Sequence, residues 1–194
     1  MTTLSVGRKY VRLVQMPNAC TAACVQMVVE RNGYGLIDQE DIAKAIGVGV
    51  AAENAVAFRS EMAVMTAVKS LGVSTMDIVP EINNFFRRRR IRIQGEAIRF
   101  RQISDFQKLV EGALRFDFDL QIEYHSEEVH PEDPVNQHIH DSLVETFRTE
   151  ERIVSLVDPV GKRKQRIETN IDVLWRSIGP RFGKELGVVR YRRI

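Results

Sequence analysis

Gln15-Met-Pro-Asn-Ala-Cys20-Thr-Ala-Ala-Cys24-Val-Gln-Met-Val-Val-Glu-Arg-Asn-Gly33 is the stretch whose reading decides the fold. It opens as a loop holding a proline and turns into an amphipathic helix at the first cysteine. Cys20, Ala23, Cys24, Met27 and Val28 recur at i, i+3, i+4, i+7 and i+8, one stripe that predicts burial against another layer. Gly33 supplies the C-terminal stop. A thiol in the first turn sits at the positive end of the helix dipole, among amides with no partner inside the helix, which favours thiolate. Gln15 lies close enough upstream for its side-chain amide to face an oxyanion formed beside that sulfur. Cys20 is therefore the candidate nucleophile, and Cys24, one turn on, a core residue.

Working outward, a chain of 194 residues with 44% apolar residues is most simply one soluble globular domain. No apolar run approaches the ~18 residues of a membrane span. The N-terminus lacks the apolar core of a signal peptide, which predicts a cytoplasmic protein. Two cysteines four apart on one helix are poor disulfide partners, consistent with a reducing compartment. A net charge of +2 argues against a nucleic-acid coat over the whole surface. Basic residues nonetheless gather locally, at Arg87 to Arg90 with Arg92, Lys162 to Lys164 with Arg166, and Arg190 with Arg192 and Arg193.

The remaining elements follow from periodicity. Tyr10 to Val14 reads as a short strand, and Asp38 as the N-cap of a helix through Ile46. A longer helix is expected from about Asn54 to Leu71, with Phe58, Met62, Met65 and Val68 inward. Beyond Pro80 the pattern changes. Arg90 to Gln94 and Ala97 to Arg101 alternate on either side of Gly95-Glu96, which predicts a hairpin. Ile91, Ile93, Ile98 and Phe100 would then share one face, and Arg90, Arg92, Arg99 and Arg101 the other. Ser104 with Gln107 signals a capping box, Leu120 to Tyr124 a strand, and Ser126 to Gln137 a loop. Strands follow at Ser142 to Arg148, Ile153 to Val157 and Gly187 to Tyr191, with a helix at Ile171 to Ile178. The sum is an α+β domain over 1–194: a helical half at about 15–80, an Arg-rich hairpin insertion at about 87–103, and a sheet half at about 104–194.

A cysteine nucleophile needs a base, and the base a group to orient it. His140 opens a strand and Asp158 ends the next, so antiparallel pairing would bring them together across 18 residues of sequence. Asp158 would then accept from one imidazole nitrogen and leave the other for Cys20. His138 shares a strand face with His140 and competes for the role. Cys20, Cys24, His138 and His140 match no strong zinc spacing, so no metal or other cofactor is expected.

The order of these parts resembles the papain-like cysteine peptidases, above all the bacterial branch that removes double-glycine leaders from bacteriocin precursors. The residues that carry the resemblance are Gln15, Cys20-Thr-Ala-Ala-Cys24, Met27, Gly33, the helix from Ser104, the strand at Leu120, His140-Asp-Ser-Leu-Val144, Asp158-Pro159 and the helix with Leu174 and Trp175. The resemblance implies a papain-like fold and a thiol hydrolase acting on a peptide or amide, with Cys20, His140 and Asp158 as triad. Gln15 and the Cys20 amide would hold the oxyanion, with Asn18 as a substitute donor. The papain-like fold also serves acyl transfer and deamidation. A second reading is a catalytically inactive module that binds an anionic partner, an acidic protein or a nucleic acid, through Arg90, Arg92, Arg99 and Arg101.

Overall fold

The computed structural model describes residues 2–59, 62–64, 74–131, 139–161, 166–180 and 186–194. Its frame is a seven-stranded antiparallel sheet in the order β4-β9-β5-β6-β7-β8, with β1 pairing the far end of β6. The strands are β1 (Thr3–Ser5), β4 (Ile93–Arg99), β5 (Asp119–His125), β6 (Ile139–Arg148), β7 (Ile153–Val157), β8 (Arg166–Asn170) and β9 (Gly187–Arg193). Two short strands, β2 (Gly49–Val50) and β3 (Ala63–Val64), pair apart from it. The helices are α1 (Cys20–Arg31), α2 (Gln39–Ala45), α3 (Ala52–Ala55), α4 (Val79–Arg88), α5 (Phe106–Arg115), α6 (Ser126–Val129) and α7 (Ile171–Ser177). Among the described residues no helix is long and apolar enough to cross a membrane.

The central strands are buried on both faces, every residue of β5 included, because helices cover both sides. On one side lies α1: Asp119 of β5 accepts from Arg31 Nη1 at 2.7 Å, Asn32 Nδ2 at 2.8 Å and the Tyr10 hydroxyl at 2.6 Å. α4 shares that side, its Phe86 meeting Tyr191 edge-on at 6.2 Å. On the other side lie α5 and α7, clamped by Trp175 stacked on Phe100 and Phe106 at 4.3 and 5.4 Å. One apolar core runs from Val6 to Tyr191.

Most elements fall where periodicity puts them. Asp38 caps α2 by accepting from Glu40 N, and α5 is capped by Asp105, one residue after Ser104, through Lys108 N. Three readings are corrected. Tyr10 to Val14 is not a strand; Tyr10 is buried by its bond to Asp119, and the N-terminal strand is β1. The long helix from Asn54 is reduced to α3, with Ala63–Val64 extended against β2; Met65 to Leu71 lie outside the described residues. There is also no Arg-rich hairpin. Residues 93–99 are one edge strand paired with β9, and alternation runs unbroken through Gly95 and Glu96. Gly95 is not a turn residue: a Cβ there would stand 3.0 Å from the Tyr191 ring, so glycine admits a cross-strand ring. Ile91 and Ile93 are thereby opposite in phase to Ile98 and Phe100.

Candidate active site

The loop that delivers Cys20 is held by α2. Gln39 accepts from Met16 N at 2.5 Å and donates to Val14 O at 3.2 Å and Gln26 Oε1 at 3.0 Å. Asn18 takes a left-handed backbone, φ 58°, and accepts from Asn54 at 3.2 Å. The N-cap residue Ala19 has no side-chain acceptor, and the first turn of α1 has no acidic residue. The positive end of the helix is thus open to an anion from elsewhere in the chain.

That anion is Asp141. Its Oδ2 lies 3.5 Å from Cys20 Sγ and 2.6 Å from Thr21 Oγ1. Thr75 Oγ1 reaches both carboxylate oxygens at 3.0 and 2.9 Å, and Thr75 N donates to Glu123 Oε1 at 3.0 Å. Glu123 is the cross-strand partner of Asp141, and both carboxylates are buried with Thr21 and Thr75. Cys20 is half-buried. Burial above all, then the Asp141 charge, pushes its thiol well above the ordinary thiol value, while the Thr21 and Asp141 amides pull more weakly the other way. A neighbouring carboxylate disfavours thiolate by like charge, so the sulfur rests as a thiol.

His140 precedes Asp141, and adjacent residues of a strand point to opposite faces. The imidazole accordingly lies on the other side of the sheet, opposite Tyr124 in register and edge-on to its ring at 5.6 Å. There His140 Nε2 is 3.0 Å from Asp158 Oδ1. His130 Nε2 lies 3.6 Å from Asp158 Oδ2 and 3.2 Å from the Tyr124 hydroxyl, itself 3.0 Å from Ser142 Oγ. Asp158 also accepts from Val160 N at 2.7 Å. The structure therefore joins His140 to Asp158 and leaves Cys20 with Asp141. His138 lies outside the described residues.

Gln15 donates its backbone N–H to Pro159 O at 2.9 Å, and its side-chain oxygen is buried without a hydrogen-bond partner among the described residues. Arg12 grips the same loop through Asp158 O at 2.8 Å. Arg90 and Arg92 stand at the opposite end of β4 from Arg99 and Arg101. Arg92 and Arg99 lie seven positions apart along the strand, roughly 23 Å, and Arg99 is paired with Asp77 at 2.8 Å. The four arginines thus do not form one anion-binding face. Among the described residues no group of three or more His, Cys, Asp or Glu side chains is placed to hold a metal ion.

Asp141, Thr75 and Glu123 are not marked as site residues by any motif in the sequence. One signal was present: in a strand packed on both faces, His140 and Asp141 face opposite ways, so only one of them can meet Cys20. Which one depends on register, and register depends on partner strands distant in the chain.

A half-buried thiol opening a helix packed on an antiparallel sheet, with Asp-Pro ending a neighbouring strand, is the architecture of the papain-like fold. The solved structures it resembles carry that assignment further. A double-glycine motif protease from an AMS/PCAT transporter, in complex with the leader peptide, superposes with a TM-score of 0.56 over 100% of this chain and 99% of its own, at 14% identity. A candidate C39-like peptidase from Bacillus anthracis superposes with a TM-score of 0.66 over 98% of each chain, at 10% identity. The fold is therefore that of the papain-like double-glycine-leader peptidases, as the motifs implied. No family model and no curated protein matches the chain.

Proposed function

We propose that this chain is a peptide-binding module of papain-like fold in which Cys20 is kept as a neutral thiol, so that a peptide is held without being cleaved. The observation that carries this is Asp141 at 3.5 Å from Cys20 Sγ, on the sheet face where a base would have to stand. Asp141 is a poor base for the thiol. Burial and the adjacent carboxylate hold the Cys20 thiol well above its ordinary value, so giving up its proton at neutral pH is costly. A peptide as ligand is supported by the leader peptide bound in the structural neighbour.

The test is Asp141→His, which sets an imidazole beside the sulfur. A peptide aldehyde is offered at neutral pH and adducts are read by intact mass. The wild type should stay unlabelled, and Asp141→His should gain an adduct that Cys20→Ser abolishes. Labelling of the wild type that disappears in His140→Ala would overturn the proposal.

One observation favours a second reading: His140 and Asp158 already form the base–orienter pair of a triad, 3.0 Å apart. That reading is a cysteine peptidase or related acyl-transfer enzyme. It requires the imidazole to reach Cys20 from the face on which Asp158 holds it. Cys20 would then attack an amide carbonyl, with the Cys20 N–H and Gln15 on the oxyanion and His140 protonating the leaving amine.

A further inference from the structure

Many arginines among the described residues answer a carboxylate, as do Arg31 with Asp119, Arg152 with Asp172, Arg166 with Glu145 and Arg190 with Glu96. One corner departs from this. The end of α4 and the turn after it carry Arg87 to Arg90, and Arg92 leads into β4. The hydrogen bond from Ile194 N to Arg92 O, 3.1 Å, sets the tail of β9 with Arg192 and Arg193 directly beside them. Among the described residues only Arg89 has an acidic partner there, Asp41 at 2.6 Å. Arg87, Arg192 and Arg193 bond to the neutral amides of Asn84, Gln94 and Asn32, and Arg88, Arg90 and Arg92 make no ion pair among the described residues. All six are exposed. The helix dipole accounts for basic residues in the last turn of α4, but not for those on the two strands.

The structure adds an aromatic that the sequence could not place. Tyr34, in the turn after α1, takes the Arg92 N–H on its hydroxyl at 2.9 Å and is itself 38% exposed. Arg192 and Arg193 are neighbours in a strand and point to opposite faces, so the charge wraps around the sheet corner instead of forming a pocket for one anion. Unneutralised guanidinium forks along a path, with a ring that can stack, suit a polyanion of evenly spaced phosphodiesters. We propose that this corner, built from Arg88, Arg90, Arg92, Arg192, Arg193 and Tyr34, binds the backbone of single-stranded nucleic acid. It is independent of the Cys20 site.

The probe is a fluorescein-labelled, mixed-sequence single-stranded DNA of about 20 nucleotides, titrated with the full chain by anisotropy at several salt concentrations. Binding should weaken as salt rises. Arg90→Ala/Arg92→Ala/Arg193→Ala should flatten the log–log salt slope by about 2, at ~0.7 for each phosphate left without its arginine, and weaken low-salt binding at least ~tenfold. Tyr34→Ala should weaken binding about fivefold with the slope unchanged. Lys108→Ala/Arg115→Ala, basic positions elsewhere, should change nothing, and circular dichroism checks that each variant is folded. No binding at low salt, a salt slope unmoved by the triple variant, or equal competition by poly-glutamate at matched charge would each overturn the proposal.

Discussion

Asp119→Ala should cost more stability than any other single side-chain truncation near α1. Asp119 takes Arg31 Nη1, Asn32 Nδ2 and the Tyr10 hydroxyl at 2.6–2.8 Å, and the Arg31 and Asp119 side chains are 2% and 3% exposed. Truncation leaves the Arg31 guanidinium buried with only the half-exposed Asp117 as counter-ion, and leaves a buried phenol without its acceptor. Removing one partner of a buried pair costs about 3–5 kcal/mol. The orphaned phenol costs a further ~1–3 kcal/mol in isolation, but the groups share one network and the two do not simply add. A net loss of about 4 kcal/mol should lower Tm by roughly 8–16 °C in a chain of this size. The double variant Arg31→Met/Asp119→Leu removes both charges and should lose far less, about 2 kcal/mol or under. Urea and thermal melts of the three proteins decide it. A loss below ~1 kcal/mol for Asp119→Ala, or a double variant as damaged as the single, would refute the claim that this pair seats the C-terminal end of α1 on the sheet.

Two further outcomes follow from the same physics. Burial holds the Cys20, Cys24, Tyr10 and Tyr191 side chains well above their ordinary values. The folded chain therefore keeps these protons longer than the unfolded chain, and stability falls once pH passes the unfolded values of about 8.5 and 10. Urea midpoints should be lower at about pH 10.5 than at pH 7, and flat midpoints would contradict this burial. Gly187→Ala would set a Cβ 2.3 Å from Ile98 O and 3.0 Å from Arg99 Cα, backbone that can yield only by parting β4 from β9. A loss of about 3 kcal/mol or more in a urea melt is expected, and a neutral substitution would show that the β4–β9 pairing is not as described.

Local pattern carried much of the fold. The stripe from Cys20 to Val28 gave α1, Asp38 gave the start of α2, and Ile153–Val157 and the helix at Ile171 came out with correct ends or nearly so. The sequence failed where a residue's meaning depends on a distant partner. Gly95 looked like a turn until Tyr191 was seen to need its missing Cβ. The run at residues 93–99 looked self-paired because nothing local names β9 as its neighbour. The site shows the same division. Cys20 at a helix entrance was legible, and so was the meeting of His140 with Asp158, since a hairpin is a local object. Which face of β6 meets α1 is not local, and it gave Asp141 the place expected for His140.

The pH dependence of Cys20 alkylation tests the central claim most directly. Iodoacetamide labelling of the full chain, read residue by residue by mass spectrometry, should show Cys20 reacting appreciably only above the ordinary thiol value of about 8.5. The profile should shift to lower pH in Asp141→Asn and stay unchanged in His140→Ala. A midpoint near neutrality that vanishes in His140→Ala would instead show that the imidazole serves the sulfur, and that Asp141 does not hold it as a thiol.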